Sequence, residues 1–327
     1  MKLFVTGGAG YIGGAVSEEL LRQGHEVTIY DSLVTGYLAA IPSGADFIHA
    51  DLDDMVGLEQ ALAAGPYDGV LHFAGLIEAG ESMANPGKYF RDNLRNSLDL
   101  IEAVQRAGIT RILFSSSAAV YQTSDEPLRE DSPLGPSNVY GQTKLMVEDT
   151  LDWYHRIHGL RYAALRYFNA SGALPGRGEA HQPESHLIPL TLQVALGQRP
   201  KMVVNGTDYP TPDGTCIRDY VHLADLAYAH ILALEALDEQ EKLIFNLGSG
   251  RGYSIHEILE AARSVTGHPI PADEGPRRVG DPARLVATSE MIQSQLGWEP
   301  THSSLEEIMQ SAWEWHQSHP NGYGEAS

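Results

Sequence analysis

The sequence has little positive charge, a single cysteine and no long apolar run. Its 327 residues include 22 lysines and arginines against 43 aspartates and glutamates, a formal net charge of −21. That surplus repels nucleic-acid phosphates and anionic lipid, so we expect neither nucleic acid nor a membrane as partner. Cys216 is the only cysteine, which excludes a disulfide within the chain. No 18 consecutive residues are apolar and MKLFVTGG leads directly into a strand pattern, so we expect a cytoplasmic protein without a signal peptide.

What the sequence does contain is a regular alternation of short apolar strands and helical patterns. The strand patterns lie at residues 2–6, 26–30, 46–50, 68–75, 111–116 and 161–166, and the helical patterns near 15–24, 54–64, 86–107 and 139–158. Strands that alternate with helices form parallel βαβ units. The pattern therefore predicts an α/β fold built on a doubly wound parallel sheet.

The alternation becomes less regular after Phe168, where proline-bearing loops occupy 174–189, 205–214 and 268–282. We therefore expect two domains. Residues 1–170 form the domain with the parallel sheet, and residues 171–327 form a smaller lobe. Some elements of the second part, with a strand pattern at 243–248 and helical patterns at 256–267 and near 304–316, are expected to return to the first sheet.

A glycine-rich turn joins the first strand to the first helix. TGGAGYIGG can be read with Gly7, Gly10 and Gly13 or with Gly8, Gly10 and Gly13 as its spaced glycines, and either lets the backbone approach a pyrophosphate at a helix N-terminus. Asp31 ends the second strand, where its carboxylate can accept hydrogen bonds from an adenosine ribose. A carboxylate there without a neighbouring arginine favours NAD over NADP. We predict NAD binding rather than a tight turn with a helix cap.

Two further features near strand ends are less specific. Asp51 follows the third strand and suits either a contact with the adenine or an N-cap for the helix at 54–64. The segment NLGSGRGYS (246–254) also follows a strand, but Tyr253 breaks the glycine spacing, so it predicts a structural turn.

Tyr140 lies four residues before Lys144 at the start of a predicted helix, a spacing that no other of the 15 tyrosines shares. Residues four apart lie on one helix face. A phenol with a pKa near 10 becomes a base at neutral pH only when a cation stabilises the phenolate, and Lys144 can supply that cation. The alternative is a surface tyrosine packed along a lysine stem. Ser117 follows strand 111–116 at its carboxyl end, where it could hydrogen-bond the reacting hydroxyl or Tyr140. The alternative is a structural role, in which the serine only caps the backbone where the chain leaves the strand.

Arg277 and Arg278 form the only adjacent basic pair, in the loop GPRRVGDP. Guanidinium groups bind a diphosphate well through forked hydrogen bonds. The alternative is a solvated pair with Asp273 and Asp281 as partners.

The segments TGGAGYIG, HFAG, SSSAAVY, YGQTK, RYFN and DGTCIRDYVH, in this order, resemble the extended short-chain dehydrogenase/reductase family and most of all its UDP-hexose 4-epimerases. The similarity covers nearly the whole chain, and residues 208–222 are its most family-specific part. The resemblance implies a Rossmann domain with a C-terminal sugar-nucleotide lobe, bound NAD, a UDP-hexose substrate and a homodimer.

The resemblance also implies roles for individual residues. Tyr140 would be the base, Lys144 would bind the nicotinamide ribose and lower the pKa of the phenol, and Ser117 would assist. With the glycine turn, the cofactor-binding residues are Gly7, Gly10, Tyr11, Ile12, Gly13, Asp31, Asp51, Leu52, Phe73, Ala74, Gly75, Asn93, Ser115, Tyr140, Lys144 and Phe168. The expected substrate-binding residues are Ser117, Tyr140, Asn169, His186, Leu187, Arg218, Arg278 and Asp281.

The implied reaction interconverts UDP-glucose and UDP-galactose by transient oxidation at carbon 4. A 4,6-dehydratase would carry Asp-Glu after the strand serine, whereas Ala118 and Ala119 follow Ser117 here. A UDP-glucuronate decarboxylase would need a cation near the hexose carboxylate, and a non-catalytic NAD-sensing regulator would not need the Tyr–Lys pair. Leu285, where narrow-specificity members carry tyrosine, leaves UDP-N-acetylglucosamine open as a substrate.

The histidines show no metal-ligand pattern in the sequence. His181 and His186 share one loop, and we see no supporting carboxylate or cysteine spacing around them. We therefore predict hydrogen-bonded histidines and no metal site.

Overall fold

The computed structural model describes residues 1–278 and 281–324. In chain order its strands are β1 (Lys2–Thr6), β2 (Glu26–Asp31), β3 (Asp46–His49), β4 (Gly69–His72), β5 (Arg111–Ser117), β6 (Arg161–Tyr167), β7 (Asn169–Ser171), β8 (Met202–Asn205), β9 (Ile217–His222), β10 (Lys242–Leu247), β11 (Gly252–Ser254), β12 (Ala272–Gly275) and β13 (Arg284–Leu285).

Seven of these strands form one parallel sheet in the order β3-β2-β1-β4-β5-β6-β10. The direction in which successive strands are added reverses between β1 and β4. Ligands of open α/β sheets bind outside the carboxyl ends of the strands at such a reversal. The predicted doubly wound parallel sheet is confirmed.

The helices are α1 (Tyr11–Arg22), α2 (Met55–Ala63), α3 (Ala79–Ala84), α4 (Pro86–Tyr89), α5 (Asn96–Arg106), α6 (Val139–His158), α7 (Leu187–Ala195), α8 (Leu223–Ala236), α9 (Ile255–Thr266), α10 (Glu290–Leu296) and α11 (Leu305–Ser318). The helix predicted at 86–107 is observed as α4 and α5 joined by a π-helical turn, Phe90–Arg95. No helix in the described part of the chain is long and apolar enough to cross a membrane.

Helices cover both faces of the sheet. On one face, side chains of α2, α5 and α6 pack on Phe4, Tyr30 and Phe114. On the other face, α1 and α8 share a core with Leu3 and Val5. Although α8 and β10 follow residue 170, they belong to these layers, because α8 packs on the sheet and β10 pairs with β6.

A second core lies beyond the carboxyl edge of the sheet, among α7, α9 and α11. Short strands flank it: β8 pairs with β12, and β9 pairs with β7, β11 and β13. The turn predicted within 246–254 is structural, since the buried Asp219 carboxylate accepts from Ser249 N (2.9 Å) and Gly250 N (3.1 Å).

A buried ion pair ties α6 to the sheet. The Arg166 guanidinium donates to both carboxylate oxygens of Glu148, from Nε at 3.0 Å and from Nη2 at 2.6 Å. Both side chains are at most 5% exposed. Arg166 Nη1 also donates to the Tyr121 hydroxyl (2.8 Å), and Ser116 donates to Glu148. Each of these side chains has its hydrogen-bond partner within the network. Removing one member should therefore be costly, because it leaves a buried polar group or charge without a partner.

We expect Glu148→Gln to lower the free energy of unfolding by about 3–5 kcal/mol, because it leaves the Arg166 charge buried without a counter-charge. Glu102→Gln is the matched control. It breaks a helix-surface pair with Arg106 in which the side chains are 45% and 54% exposed, and it should cost less than about 1 kcal/mol. Urea denaturation measures both, and equal losses would contradict the assignment.

Candidate active site

A cavity of about 580 Å³ lies at the carboxyl ends of the sheet strands, where the strand order reverses. It brings together most of the site residues predicted from the sequence. These are Gly7, Gly10, Tyr11, Ile12, Gly13, Asp31, Asp51, Leu52, Phe73, Ala74, Gly75, Ser115, Ser117, Tyr140, Lys144, Phe168, Asn169 and His186.

The glycine turn has room for backbone only. Gly7 has φ +74°, and a Cβ there would lie 2.5 Å from the backbone nitrogen of Ala74. A Cβ on Gly13 would lie 2.3 Å from the Gly7 carbonyl oxygen. Gly10 is the N-cap of α1, and no side chain among the described residues caps that helix start. Backbone N–H groups of the first helical turn are therefore directed at the cavity, as an anionic diphosphate requires.

The carboxylates at the adenosine end of the cavity have separate roles. Asp31 accepts from Ala9 N (3.0 Å) and Leu33 N (2.8 Å), and burial raises the pKa of its carboxyl group. These bonds hold the side chain at the end of β2, where lone pairs remain for a ribose diol. Asp51 lines the cavity, whereas Asp54 caps α2 by accepting from Gly57 N (3.0 Å). The helix-cap alternative considered for Asp51 is therefore wrong.

Helix α6 and the end of β5 place the three predicted catalytic side chains together. The Lys144 ammonium donates to the Ser115 carbonyl (2.8 Å) and lies 5.9 Å from the centre of the Tyr140 ring. The Ser117 hydroxyl accepts from Ala119 N (3.1 Å) and lies on the same side of the cavity as the Tyr140 phenol. A phenol, a hydroxyl and an ammonium thus share one wall of the cavity.

Burial shifts the pKa values of Tyr140 and Lys144 in opposite directions. Burial raises the pKa of Tyr140 above its usual value, and the nearby Ser117 hydroxyl offsets this rise only in part. Burial also lowers the pKa of Lys144 to about 8, against the attraction of Glu148. Loss of hydration therefore sets the direction of the shift in the Tyr140 pKa, and acidification of the phenol by Lys144 stays a prediction.

Some predicted residues lie elsewhere. The cavity lining, drawn from residues 1–278 and 281–324, does not include Asn93, Leu187, Arg218, Arg278 or Asp281. Asn93 instead shapes the wall: its amide donates to Leu76 O (2.9 Å) and accepts from Leu76 N (2.7 Å).

The predicted diphosphate-binding arginines lie on the second lobe. Arg218 pairs with Asp281 at 3.4 Å, and Arg278 is exposed. Its neighbour Arg277 stacks on the Tyr209 ring, with 4.3 Å between guanidinium carbon and ring centre. This stacking fixes only one of the two adjacent arginines.

Sequence reasoning missed several residues of the cavity wall. Arg91, Asp92 and Arg95 line it from the π-helical turn. A π turn is often found at functional sites, but it leaves little trace in a helical pattern.

The loop before α7 holds a second group that the sequence analysis missed. Glu179, His181, Glu184 and His186 present their ligand atoms within 4.8 Å of one another. Burial disfavours charge on these groups, yet mutual attraction lowers the pKa of Glu179 and raises that of His186. The prediction of no metal site assumed that no carboxylates accompany His181 and His186. That assumption is wrong, because Glu179 and Glu184 lie beside them. The pattern E-x-H-x-x-E-x-H over 179–186 is the signal that was available.

The comparisons with known proteins agree with this geometry. A model of the NAD dependent epimerase/dehydratase family matches residues 3–248. A UDP-glucose 4-epimerase of Corynebacterium glutamicum is 48% identical over 314 residues, which are 96% of this chain and 95% of that protein.

Solved structures show the same fold. A crystal structure of a UDP-glucose 4-epimerase has a TM-score of 0.97 at 45% identity and covers 99% of this chain and 100% of its own. The UDP-glucose 4-epimerase of Bifidobacterium longum, in complex with NAD⁺ and UDP, has a TM-score of 0.94 at 35% identity, over 98% of this chain and 100% of that one.

The buried ammonium of Lys144 predicts a pH-dependent stability. An unfolded lysine has a pKa of about 10.4, against about 8 in the fold, so the folded protein binds fewer protons between about pH 8 and pH 10. The contribution of Lys144 to the free energy of unfolding therefore rises with pH through this window. Below it, the buried charge costs about 3 kcal/mol.

We expect Lys144→Met to raise the free energy of unfolding at pH 7, with an advantage over the unmodified protein that shrinks by pH 10. Denaturant titrations at several pH values, on protein freed of bound nucleotide, measure this difference. A difference that stays constant from pH 7 to pH 10 would contradict a costly buried ammonium.

Proposed function

The chain belongs to the NAD-dependent epimerase/dehydratase family, and on that premise we propose that it interconverts UDP-glucose and UDP-galactose with bound NAD. One observation carries the proposal. A single cavity joins a backbone cradle for a diphosphate, a ribose-binding carboxylate and a Tyr–Lys–Ser group. The residues present therefore fit NAD from its adenosine end to its nicotinamide end.

We assign the proton transfer to Tyr140. Its phenol would take the proton of the sugar 4-hydroxyl and return it in the reverse half of the cycle. Bound NAD would supply the hydride acceptor for carbon 4 and the donor that returns the hydride to the opposite face. Because burial raises the pKa of Tyr140, the phenolate needs a cationic surrounding. Lys144, fixed by the Ser115 carbonyl, would supply part of it, and a positively charged nicotinamide ring would add the rest.

The neighbouring reactions fit less well. Ala118 and Ala119 follow Ser117, so the acidic pair that a dehydratase carries at these positions is replaced by two apolar side chains. Leu285 packs against the small apolar cluster that includes Phe168 and lies outside the lining of the cavity, as the described residues define it. Its side chain therefore gives no support to N-acetylated UDP-sugars.

For the nucleotide end of the substrate, we keep Arg218, Arg278 and Asp281 as candidates. They lie on the second lobe with the stacked Arg277–Tyr209 pair, and two of them already form an ion pair. A diphosphate would replace this carboxylate as the partner of Arg218. Buried Cys216 forms no disulfide within the chain and suits a reducing compartment such as the cytoplasm.

Tyr140→Phe removes the proton acceptor and keeps the ring. We expect turnover of UDP-galactose to fall by about 10²- to 10⁴-fold, the usual contribution of a positioned base, while the affinity for UDP is unchanged. NMR of the product sugars measures turnover, and calorimetry measures UDP binding. Tyr228→Phe, on a ring that is 47% exposed, is the control and should keep full activity. Turnover of Tyr140→Phe near that of the control would refute the base assignment.

We further propose a homodimer that pairs α5 and α6 of two chains. Large apolar side chains are exposed on the outer faces of these helices, with Trp153 at 57%, Ile157 at 66% and Leu98 at 36%. Such a row of apolar side chains is typical of an interface.

The double variant Trp153→Glu, Ile157→Glu should halve the molar mass measured by light scattering, because two buried charges at the helix pair oppose association. Val34→Glu, Val56→Glu is the control, since both valines are exposed on other elements (75% and 64%). A control that also dissociates, or a double variant that keeps the dimer mass, would contradict this interface.

A further inference from the structure

Four ligand atoms converge in the loop before α7. The side chains of the Glu–His cluster, Glu179, His181, Glu184 and His186, come from one stretch of eight residues, and three of them, all but Glu184, line the cavity. Glu179 Oε1 lies 3.2 Å from His181 Nδ1 and 2.8 Å from His186 Nδ1. His186 Nδ1 is also 2.8 Å from Glu184 Oε1.

Hydrogen bonds alone do not account for this convergence. An imidazole Nδ1 carries at most one hydrogen, yet His186 Nδ1 lies equally close to an oxygen of Glu179 and an oxygen of Glu184. Glu184 Oε1 already accepts from the backbone N–H groups of Ser185 and His186, both at 2.8 Å. The ligand atoms of four side chains thus lie close around one point, which a metal ion can occupy once it displaces the histidine hydrogen.

Burial and charge favour the same conclusion. The Glu179 and Glu184 side chains are only 7% and 6% exposed. Their ion pairs, within the described residues, are with the two histidines. Arg177 is close in sequence but pairs with Glu18 at 3.0 Å. A divalent cation would displace the proton that His186 shares with the two carboxylates and would balance their charge.

We propose that the Glu–His cluster binds one divalent transition-metal ion. Among these ions, Zn²⁺ best matches the ligands present. Two imidazoles and two carboxylates are nitrogen and oxygen ligands of the kind that zinc takes in proteins. Tetrahedral zinc, with bonds of about 2.0–2.1 Å, would set its ligand atoms about 3.3 Å apart. The atoms now lie between 2.8 Å and 4.8 Å from one another, so small side-chain rotations suffice.

The ion would fix a wall of the cavity. The backbone beside the cluster is already held, since Tyr37 donates to Ala180 O (2.6 Å) and Trp315 Nε1 donates to Glu179 O (3.3 Å). His186 directly precedes α7. Metal binding would therefore connect the start of the second lobe to the side of the cavity that carries the glycine turn. Zinc binding by these side chains can be measured whether or not the chain performs the proposed epimerisation.

The test uses the full chain, its metal removed with EDTA and then titrated with ZnCl₂. We expect about one Zn²⁺ per chain by elemental analysis after desalting, and a zinc-dependent rise of the Tm. Loss of one ligand in His181→Gln or Glu184→Gln should weaken zinc binding by about 100-fold or more, because even partners of metal ligands change affinity by about 10- to 100-fold. His158→Gln, at an exposed position on α6, is the matched control and should bind zinc as the unmodified chain does.

Cobalt gives a second readout that does not depend on folding stability. Co²⁺ in the cluster should show the visible absorption of a tetrahedral site, and both ligand variants should lose it while the control keeps it. Zinc binding that is absent from the unmodified chain, or equal in Glu184→Gln and the control, would overturn the proposal.

Discussion

The close contact between the start of α6 and the short turn that follows β5 is the constraint on which the site depends. Gly141 makes it possible, since a Cβ there would lie 2.2 Å from the carbonyl oxygen of Ala119. The helix begins next to this contact because the Asn138 side chain accepts from Gly141 N (2.8 Å). With the backbones this close, Tyr140 and Ser117 line the same cavity. One missing side chain thus sets the distance between the phenol and the hydroxyl that would share a substrate proton.

The same contact carries a cost in stability. Lys144 is 5% exposed and holds its ammonium between the Ser115 carbonyl and the face of Phe114, 4.8 Å from the ring centre. Burial lowers the pKa of Lys144 to about 8, so the charged form of this side chain destabilises the folded protein. One turn later the Glu148–Arg166 pair binds the same helix to β6. Helix α6 thus carries a destabilising buried charge at the site and a stabilising ion pair one turn away. This is the expected compromise between activity and stability.

Local signals in the sequence were sufficient for the elements that hold the site. Helix α6 was predicted at 139–158 and is observed there, because an Asn cap precedes it and Gly159 (φ 68°) ends it. Helix α8 left no comparable pattern. It is apolar nearly all round, since it packs between the sheet, α1 and α10, and a helix buried on several sides loses the period that predicts it. The sign of the Tyr140 pKa shift was also beyond the sequence, because it depends on burial rather than on the lysine spacing.

The order of the chain explains why the second lobe cannot be treated separately from the sheet. After β6 the chain crosses the carboxyl edge and builds α7 and β9 there. It then returns through α8 and β10 to both a face and an edge of the first sheet. The loop that carries the Glu–His cluster leaves from this crossing and forms cavity wall on its way to α7. Interactions that fix this loop therefore also fix the shape of the cavity between the glycine turn and the second lobe. A reaction that depends on the relative position of cofactor and substrate requires such a wall to keep its place.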